Sequence, residues 1–164
     1  MQQEKEFIGL LNQHQNIIHK VCNLYMNNVS EREDLFQEIT LQAWKAFPSF
    51  RGDAKFSTWL YRVALNTAIS FYRKEQRMPE ISYNPEVPEN EDKTDNSNEQ
   101  LQAMHKAIAG LSKIDKALVS LYLDDYSYND IGEMLGISAN NVAVKMNRLK
   151  IKLKEESKKY FQYA

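Results

Sequence analysis

The sequence predicts an all-α protein made of two small helical domains joined by an acidic, flexible linker. Apolar residues recur with the helical period of 3.6 on both sides of residues 78–98. The chain of 164 residues holds only 5 glycines and 4 prolines, which is typical of helical proteins. The segment at 78–98 is rich in proline and too polar to form a core. We therefore expect domains at 1–77 and 99–160, with the linker between them.

The net charge of −1 conceals an uneven distribution along the chain. Residues 1–78 carry ten basic and eight acidic side chains, a balance of +2, and residues 101–164 carry ten and seven, a balance of +3. Residues 79–100 carry one lysine and seven acids, a balance of −6. The overall charge is therefore a poor guide to what the two ends bind. The linker is either a solvated spacer or an acidic mimic of nucleic acid.

The first domain begins with two predicted helices. Apolar residues spaced i, i+3 and i+4 from Phe7 to Tyr25 predict one long amphipathic helix. Ser30 and Glu33 have the spacing of a capping box, so Ser30 is expected to be the N-cap of a second helix. This helix should end near Phe47, because a proline follows.

A third helix is expected from Phe56 to about Arg77, and it mixes basic with aromatic side chains. Such a mixture suits single-stranded nucleic acid, because unpaired bases stack on rings while cations follow the phosphates. A core role is the competing interpretation for Phe56, Trp59 and Phe71, which share the apolar side of the helix.

Four helices are expected in the second domain, at about 99–111, 113–123, 128–135 and from 139 onward. The last three each follow a serine in N-cap position: Ser112, Ser127 and Ser138.

Residues 127–150 have the spacing of a helix-turn-helix. Gly132 falls where the two helices must approach closely, and Gly136 falls in the tight turn. The small core between the helices is expected to hold four apolar residues: Ile131, Leu135, Ile137 and Val142.

The second helix of such a motif lies in the DNA major groove, with its first residues at the base edges. Short polar or small side chains occupy this start, and cations follow where the helix passes the phosphates. The expected contacts to duplex DNA are Ser138, Asn140, Asn141, Val144, Lys145, Arg148, Lys150 and Lys152. A solvated basic surface, with serine and asparagine acting only as caps, is the alternative.

Two stretches closely resemble a known family. "DLFQEITLQAWKAFPSFRGDAKFSTWLYRVALNTAISFYRK" at 34–74 resembles region 2 of the sigma-70 family in its extracytoplasmic-function (ECF) form. "YSYNDIGEMLGISANNVAVKMNRLKIKL" at 126–153 resembles region 4 of the same group. The resemblance implies a sigma factor, which directs core RNA polymerase to promoters and promotes DNA melting.

The resemblance also implies roles for residues of the first domain. The helix bearing "DLFQE" would dock on the largest polymerase subunit through Asp34, Gln37, Glu38, Leu41 and Trp44. The melted strand of the −10 element would be bound by Arg51, Gly52, Asp53, Ala54, Lys55, Phe56, Arg62, Asn66, Tyr72, Arg73 and Lys74. Region 4 would read the −35 element as duplex.

One departure concerns the recognition helix. Many relatives begin it with a "TVKSR"-like sequence, where this chain has "NVAVK". Asn141, Ala143 and Val144 replace the family's threonine, lysine and serine, so the −35 preference cannot be transferred from relatives. Many family members are also held inactive by an anti-sigma factor, and two DNA-binding surfaces on a flexible linker would permit such a partner.

Two other function classes compete with a sigma factor. The first is an autonomous helix-turn-helix regulator that binds duplex DNA without polymerase. The second is an enzyme, against which we find no nucleophile–base set, no phosphate-binding loop and no metal-ligand spacing, and we expect no cofactor. The single cysteine, Cys22, and the lack of a signal peptide or a membrane-spanning run predict a cytoplasmic protein without membrane insertion.

Overall fold

A computed structural model describes residues 1–77 and 96–161, except for the side chains of 72–77, 96–98, 100, 101, 157 and 159–161. The predicted linker therefore lies outside the described residues from 78 to 95. The all-α prediction is confirmed, because no strand occurs within the described ranges. The helices are α1 Gln2–Gln13, α2 Gln15–Tyr25, α3 Val29–Ala46, a 3₁₀ turn Phe47–Ser49, α4 Phe56–Arg77, α5 Asn96–Ala109, α6 Lys113–Leu123, α7 Tyr128–Leu135 and α8 Ala139–Phe161.

Two compact units are present, one built on α1 to α4 and the other on α5, α6, α8 and the first turns of α7. In the first unit α2, α3 and α4 pack against one another. Ile18, Leu35, Ile39 and Leu60 are fully buried there. Burying an aliphatic side chain of this size contributes about 1.5–3 kcal/mol, so these residues hold the three helices together.

The prediction of one long helix at 7–25 is wrong, because the helix breaks at His14. The backbone of His14 leaves the helical region, with φ −119° and ψ 18°. Its N–H donates to the carbonyl of Leu11 over 3.1 Å, while its ring Nδ1 lies 2.8 Å from the carbonyl oxygen of Leu10. The ring nitrogen thus lies at the acceptor that a helical hydrogen bond from the His14 N–H would use, and α2 begins at Gln15.

The predicted N-cap of α3 is also wrong. Asn28 caps the helix, since its side-chain oxygen accepts the backbone N–H of Glu31 over 2.8 Å. Ser30 is an exposed residue inside the first turn. Asparagine and serine are about equally good N-caps, so the residue types alone did not decide between them.

In the second unit, α5 packs along α8 and α6 contacts both helices. The helix expected at 99–111 instead spans Asn96–Ala109. The predicted serine caps of α6 and α7 are confirmed: the Ser112 and Ser127 hydroxyls accept the backbone N–H groups of Asp115 and Asp130 over 3.3 and 3.1 Å.

Candidate nucleic-acid interface

The turn between α7 and α8 has the geometry expected of a helix-turn-helix. A Cβ atom added to Gly132 would lie 2.6 Å from the carbonyl oxygen of Ile137, which confirms the close approach. Gly136 has φ +74°, a backbone conformation that other residues rarely adopt. Ile131 and Val142 are fully buried. The other two expected core residues, Leu135 and Ile137, are half-buried.

The start of α8 is capped by Ser138, whose hydroxyl accepts the backbone N–H of Asn141 over 3.1 Å. Ser138 is therefore the N-cap of α8, as the alternative interpretation predicts, and its hydrogen bond defines where the helix begins. Because this hydroxyl is engaged with the backbone, the side chain amides of Asn140 and Asn141 are the better placed groups at this end. Both asparagines are exposed.

The two sides of α8 differ in chemistry. Val142, Met146 and Leu149 are buried against the unit. The opposite side is exposed and combines a methyl group with polar and basic groups. It comprises Asn140, Asn141, Val144, Lys145, Arg148 and Lys152. Such a surface can form hydrogen bonds with base edges and neutralise phosphates, which together constitute duplex DNA recognition.

Lys150 lies on another side of α8 from the other expected contacts to duplex DNA. At about 100° per residue, Lys150 and Lys152 point about 160° apart around the helix. The Lys150 Nζ lies 4.6 Å from the centre of the Tyr122 ring, a cation–π contact, and a hydrogen bond to Tyr122 raises the pKa of Lys150. The Tyr122 ring lies 6.4 Å from that of Tyr128. Lys150 therefore links α8 to α6, and its contact to duplex DNA stays a prediction.

In the first unit, residues 51–55 form an exposed loop between the 3₁₀ turn and α4. Gly52 has φ +80°, and a Cβ added to it would meet no atom within 4 Å. The positive φ therefore favours glycine at position 52, although a side chain there would have enough space. Arg51, Asp53 and Lys55 are exposed and Ala54 is half-buried. The loop presents two cations and one acid on a defined turn.

Aromatic rings cluster at the two ends of this loop, formed by Phe50 before it and Phe56 after it. The Phe50 ring lies 5.2 Å from Trp59 and 5.7 Å from Phe56, and Phe56 lies 5.4 Å from Trp59. The Phe47 and His14 rings complete the group, at 6.5 and 5.1 Å from Phe56. These edge and tilted arrangements are the favourable ones for aromatic pairs. This ring packing joins the two ends of the loop.

Phe56 is a correction to the set expected to contact the melted strand. It is only 8% exposed, and its ring lies within the aromatic group. The competing interpretation, a core role, is confirmed for Phe56. Further along α4, Arg62 and Asn66 are exposed. The side chains of Tyr72, Arg73 and Lys74 lie outside the described residues.

A third surface runs along α3. Asp34, Gln37, Glu38, Leu41 and Trp44 have the spacing of one helix side, and all five side chains are exposed or half-buried. Leu41 is 45% and Trp44 40% exposed. Large apolar side chains left this open beside acids are typical of a protein interface. The Trp44 ring packs on Phe7 at 5.2 Å, which holds it in place.

Cys22 is the single cysteine of the chain, and its environment decides whether its thiol is reactive. It is buried, and this burial raises the pKa of its thiol to about 11. The thiol therefore stays protonated near neutral pH and is a poor nucleophile. Within residues 1–77 and 96–161, no helix is both long and apolar enough to cross a membrane.

Comparisons with known proteins assign the chain to a family. Sigma-70 region 2 matches residues 10–78, and Sigma-70, region 4 matches residues 101–153. The ECF RNA polymerase sigma factor SigW of Bacillus subtilis is 30% identical over 158 residues, which cover 87% of this chain and 83% of SigW. The chain is an ECF sigma factor of the sigma-70 family. It therefore directs RNA polymerase to promoters.

Further similarities agree with this assignment. The ECF RNA polymerase sigma-E factor of Haemophilus influenzae is 31% identical to the sigma factor over 164 residues, with 88% of this chain and 84% of that protein covered. The sigma factor RpoE from Bartonella quintana, solved in complex with the anti-sigma factor NepR, shares the fold with a TM-score of 0.67 at 21% identity. That likeness covers 94% of this chain and 98% of RpoE. CnrH, solved with the cytosolic domain of CnrY, has a TM-score of 0.64 at 19% identity and covers 93% and 87% of the two chains.

Proposed function

We propose that this sigma factor recognises promoters with two separate surfaces, one on each unit, and binds core polymerase with a third. In the second unit, the exposed side of α8 reads the −35 element as duplex. In the first unit, the loop at 51–55 with Arg62 and Asn66 of α4 binds the melted strand of the −10 element. The exposed side of α3, from Asp34 to Trp44, docks on core polymerase.

The observation that carries this proposal is the difference between the two surfaces: a capped regular helix, α8, in the second unit and an exposed loop, 51–55, in the first. The start of α8 offers asparagine amides at a fixed helix end and cations one to three turns later, which suits a regular duplex. The loop at 51–55 instead presents cations between two residues, Phe50 and Phe56, whose rings pack together. An unpaired base captured beside such a loop offsets the few kcal/mol of unstacking it costs.

The sigma factor is expected to work without catalysis or cofactor, by capturing bases that become unpaired. Sigma factors are non-enzymatic initiation factors, and base capture by itself favours the melted state by mass action. Since RNA polymerase acts in the cytoplasm, we propose the same compartment for this protein.

An anti-sigma partner is part of the proposal. RpoE, which shares this fold, was solved with an anti-sigma factor, and two DNA-binding surfaces on separate units give an inhibitor two targets to cover. Affinity purification of the tagged chain from uninduced cells should recover a protein that blocks promoter binding. Recovery of polymerase subunits alone would contradict this part of the proposal.

Transcription from a genomic promoter library tests the main proposal, with core RNA polymerase and this chain purified separately. Transcripts that need both components, and that share two upstream elements, are expected. Binding of duplex DNA by the chain alone, with no such transcripts, would instead support an autonomous regulator.

Matched variants assign the surfaces. Asn141→Ala should relax the base preference at one −35 position, whereas Arg148→Ala should weaken binding to all promoters evenly.

Leu41→Asp should weaken binding to core polymerase. Ile8→Asp, which changes an equally exposed apolar residue on α1, should not. Equal effects of the last two variants would remove α3 as the docking surface.

A further inference from the structure

A cavity of about 410 Å³ opens between α2 and the first turns of α3. Of its eight lining residues only Gln37 is among those expected to dock on core polymerase, and none belongs to the surfaces proposed to bind DNA. Sites for small molecules are typically about 300–1,000 Å³ in volume. The cavity is therefore large enough for a ligand of its own.

Part of the lining is apolar or aromatic. The rings of His19 on α2 and Phe36 on α3 are stacked, with 4.9 Å between their centres and 30° between their planes. Val29, the first residue of α3, also lines the cavity and is 67% exposed. Stacked rings beside an aliphatic group suit a carbon skeleton, above all a planar one.

Arg32 gives the cavity a cation in a fixed position. Its Nε donates to the carbonyl of Met26, the residue after α2, over 3.1 Å. This bond uses Nε alone, so the two terminal nitrogens of the guanidinium can donate side by side to a carboxylate. The cavity also lies at the N-terminal end of α3, where the helix dipole favours negative charge. Both features favour an anion.

Glu33 limits the charge of that anion. It is the single carboxylate in the lining, and Arg32 is the single lysine or arginine. Two negative charges, as on a phosphate monoester, would be repelled by Glu33 and matched by one cation only. A monocarboxylate carries one negative charge and pairs with one guanidinium. Its carbon body then lies against the apolar part of the lining.

We propose that this cavity binds a small monocarboxylate with an aromatic body, with the carboxylate on Arg32 and the ring beside Phe36 and Val29. Glu33 excludes dianions. The proposal goes beyond promoter recognition and does not depend on it, because α2 and α3 supply the whole lining.

Cys22 makes the occupancy of the cavity measurable. It lines the cavity, is 2% exposed and is the single cysteine of the chain. Burial raises the pKa of its thiol, so a small neutral maleimide should react slowly at mildly alkaline pH. A ligand in the cavity should slow this reaction further. Labelling of the full chain is followed by intact mass, with and without phenylacetate as the probe.

The expected result depends on the charge of the probe. Phenylacetate should slow the labelling until the cavity is saturated, and the concentration dependence gives its Kd. The neutral phenylacetamide should bind about tenfold more weakly, the effect of losing one hydrogen bond between charged groups. Phenyl phosphate, which carries two negative charges, should give no protection.

Three variants and a control assign the residues. Arg32→Lys keeps the charge but removes the paired nitrogens, and it should weaken phenylacetate binding about tenfold. Glu33→Gln should strengthen this binding and admit phenyl phosphate. Val29→Trp should fill the cavity and abolish binding, whereas Leu123→Trp, at a 65% exposed residue of the second unit, should not change it. Calorimetry measures binding to the variants, because a filled cavity also shields Cys22, and circular dichroism checks that each is folded.

Several results would overturn the site. They are equal protection by phenylacetate and phenylacetamide, unchanged binding to Val29→Trp, or no protection by phenylacetate or its homologues benzoate and phenylpropanoate. Protection of Cys22 by core polymerase and by none of these ligands would assign the cavity to the docking surface of α3, which also overturns it. Labelling and calorimetry use the chain alone, so a failure here leaves the proposed function standing.

Discussion

In the first unit a loop of residues 51–55 is joined at its ends by packed aromatic rings, whereas in the second unit the basic helix α8 packs on aliphatic side chains and a close glycine. The ring centroids of Phe50, Phe56 and Trp59 lie within 6 Å of one another. The second unit has Val142, Met146 and Leu149 under α8, with Gly132 against the turn. Irregular backbone and regular helix are thus held by different means.

The difference teaches what each surface needs from its support. A loop forms few hydrogen bonds of its own, so large rings with few rotatable bonds must limit its motion. A helix is already rigid, so it needs only a correct position relative to its partner helix. In this helix-turn-helix that position depends on the close approach of the Gly132 and Ile137 backbones, which leaves no room for a Cβ atom at position 132.

The largest expected effect comes from removing a ring of the aromatic group at the ends of the loop. Phe56→Ala should destabilise the first unit by about 3–5 kcal/mol, the usual cost of truncating a buried phenylalanine. Both tryptophans, Trp44 and Trp59, belong to this unit. Urea unfolding followed by tryptophan fluorescence should therefore show a lower midpoint, while the second unit is unaffected.

Phe56→Leu is the control, because an apolar residue of similar size should restore most of the stability. If this variant kept the unfolding midpoint of wild type but lost binding to the melted strand, the ring of Phe56 would contact DNA and its assignment to the core would be wrong.

The next largest effect concerns the close approach in the second unit. Gly132→Ala should destabilise this unit by about 1–3 kcal/mol, because the new Cβ meets backbone that cannot move aside easily. Circular dichroism, which detects both units, should show an earlier loss of helix, with the tryptophan transition unchanged. Gly110→Ala is the matched control, since its Cβ would meet no atom closer than 3.7 Å. Equal destabilisation by both variants would argue against the close approach.

A smaller effect distinguishes the N-caps of the two units. Asn28→Ala in the first unit and Ser138→Ala in the second should each cost about 1 kcal/mol, because each loses a hydrogen bond to a helix N-terminus. Ser30→Ala should cost almost nothing. A cost for Ser30→Ala as large as that for Asn28→Ala would restore the capping box that the sequence predicted. Urea unfolding, followed by fluorescence for the first unit and by circular dichroism for the second, checks all three.

The smallest effect separates two lysines of α8. Lys152→Ala should reduce the slope of log affinity for duplex DNA against log salt by about 0.9, the value for one phosphate contact. Lys150→Ala should leave the slope almost unchanged, since its ammonium group is held over Tyr122. Fluorescence anisotropy of labelled −35 duplex, titrated at several salt concentrations, measures both slopes. Equal losses would show that Lys150 contacts a phosphate as Lys152 does.

The sequence by itself determined the features that depend on neighbours a few residues apart. Examples are the bounds of α4 and the serine caps of α6, α7 and α8, which follow from helical periodicity and from hydrogen bonds spanning three residues. The two glycines of the helix-turn-helix were also predictable, because their spacing is characteristic of the motif.

Only the tertiary structure decided which of two plausible roles a side chain takes. Lys150 follows the same basic pattern as Lys152, yet it contacts Tyr122 from another helix. Phe56 matches an aromatic residue expected at the melted strand, yet four other rings surround it. Periodicity describes which side of a helix is apolar, but contacts between distant parts of the chain decide what each side chain meets.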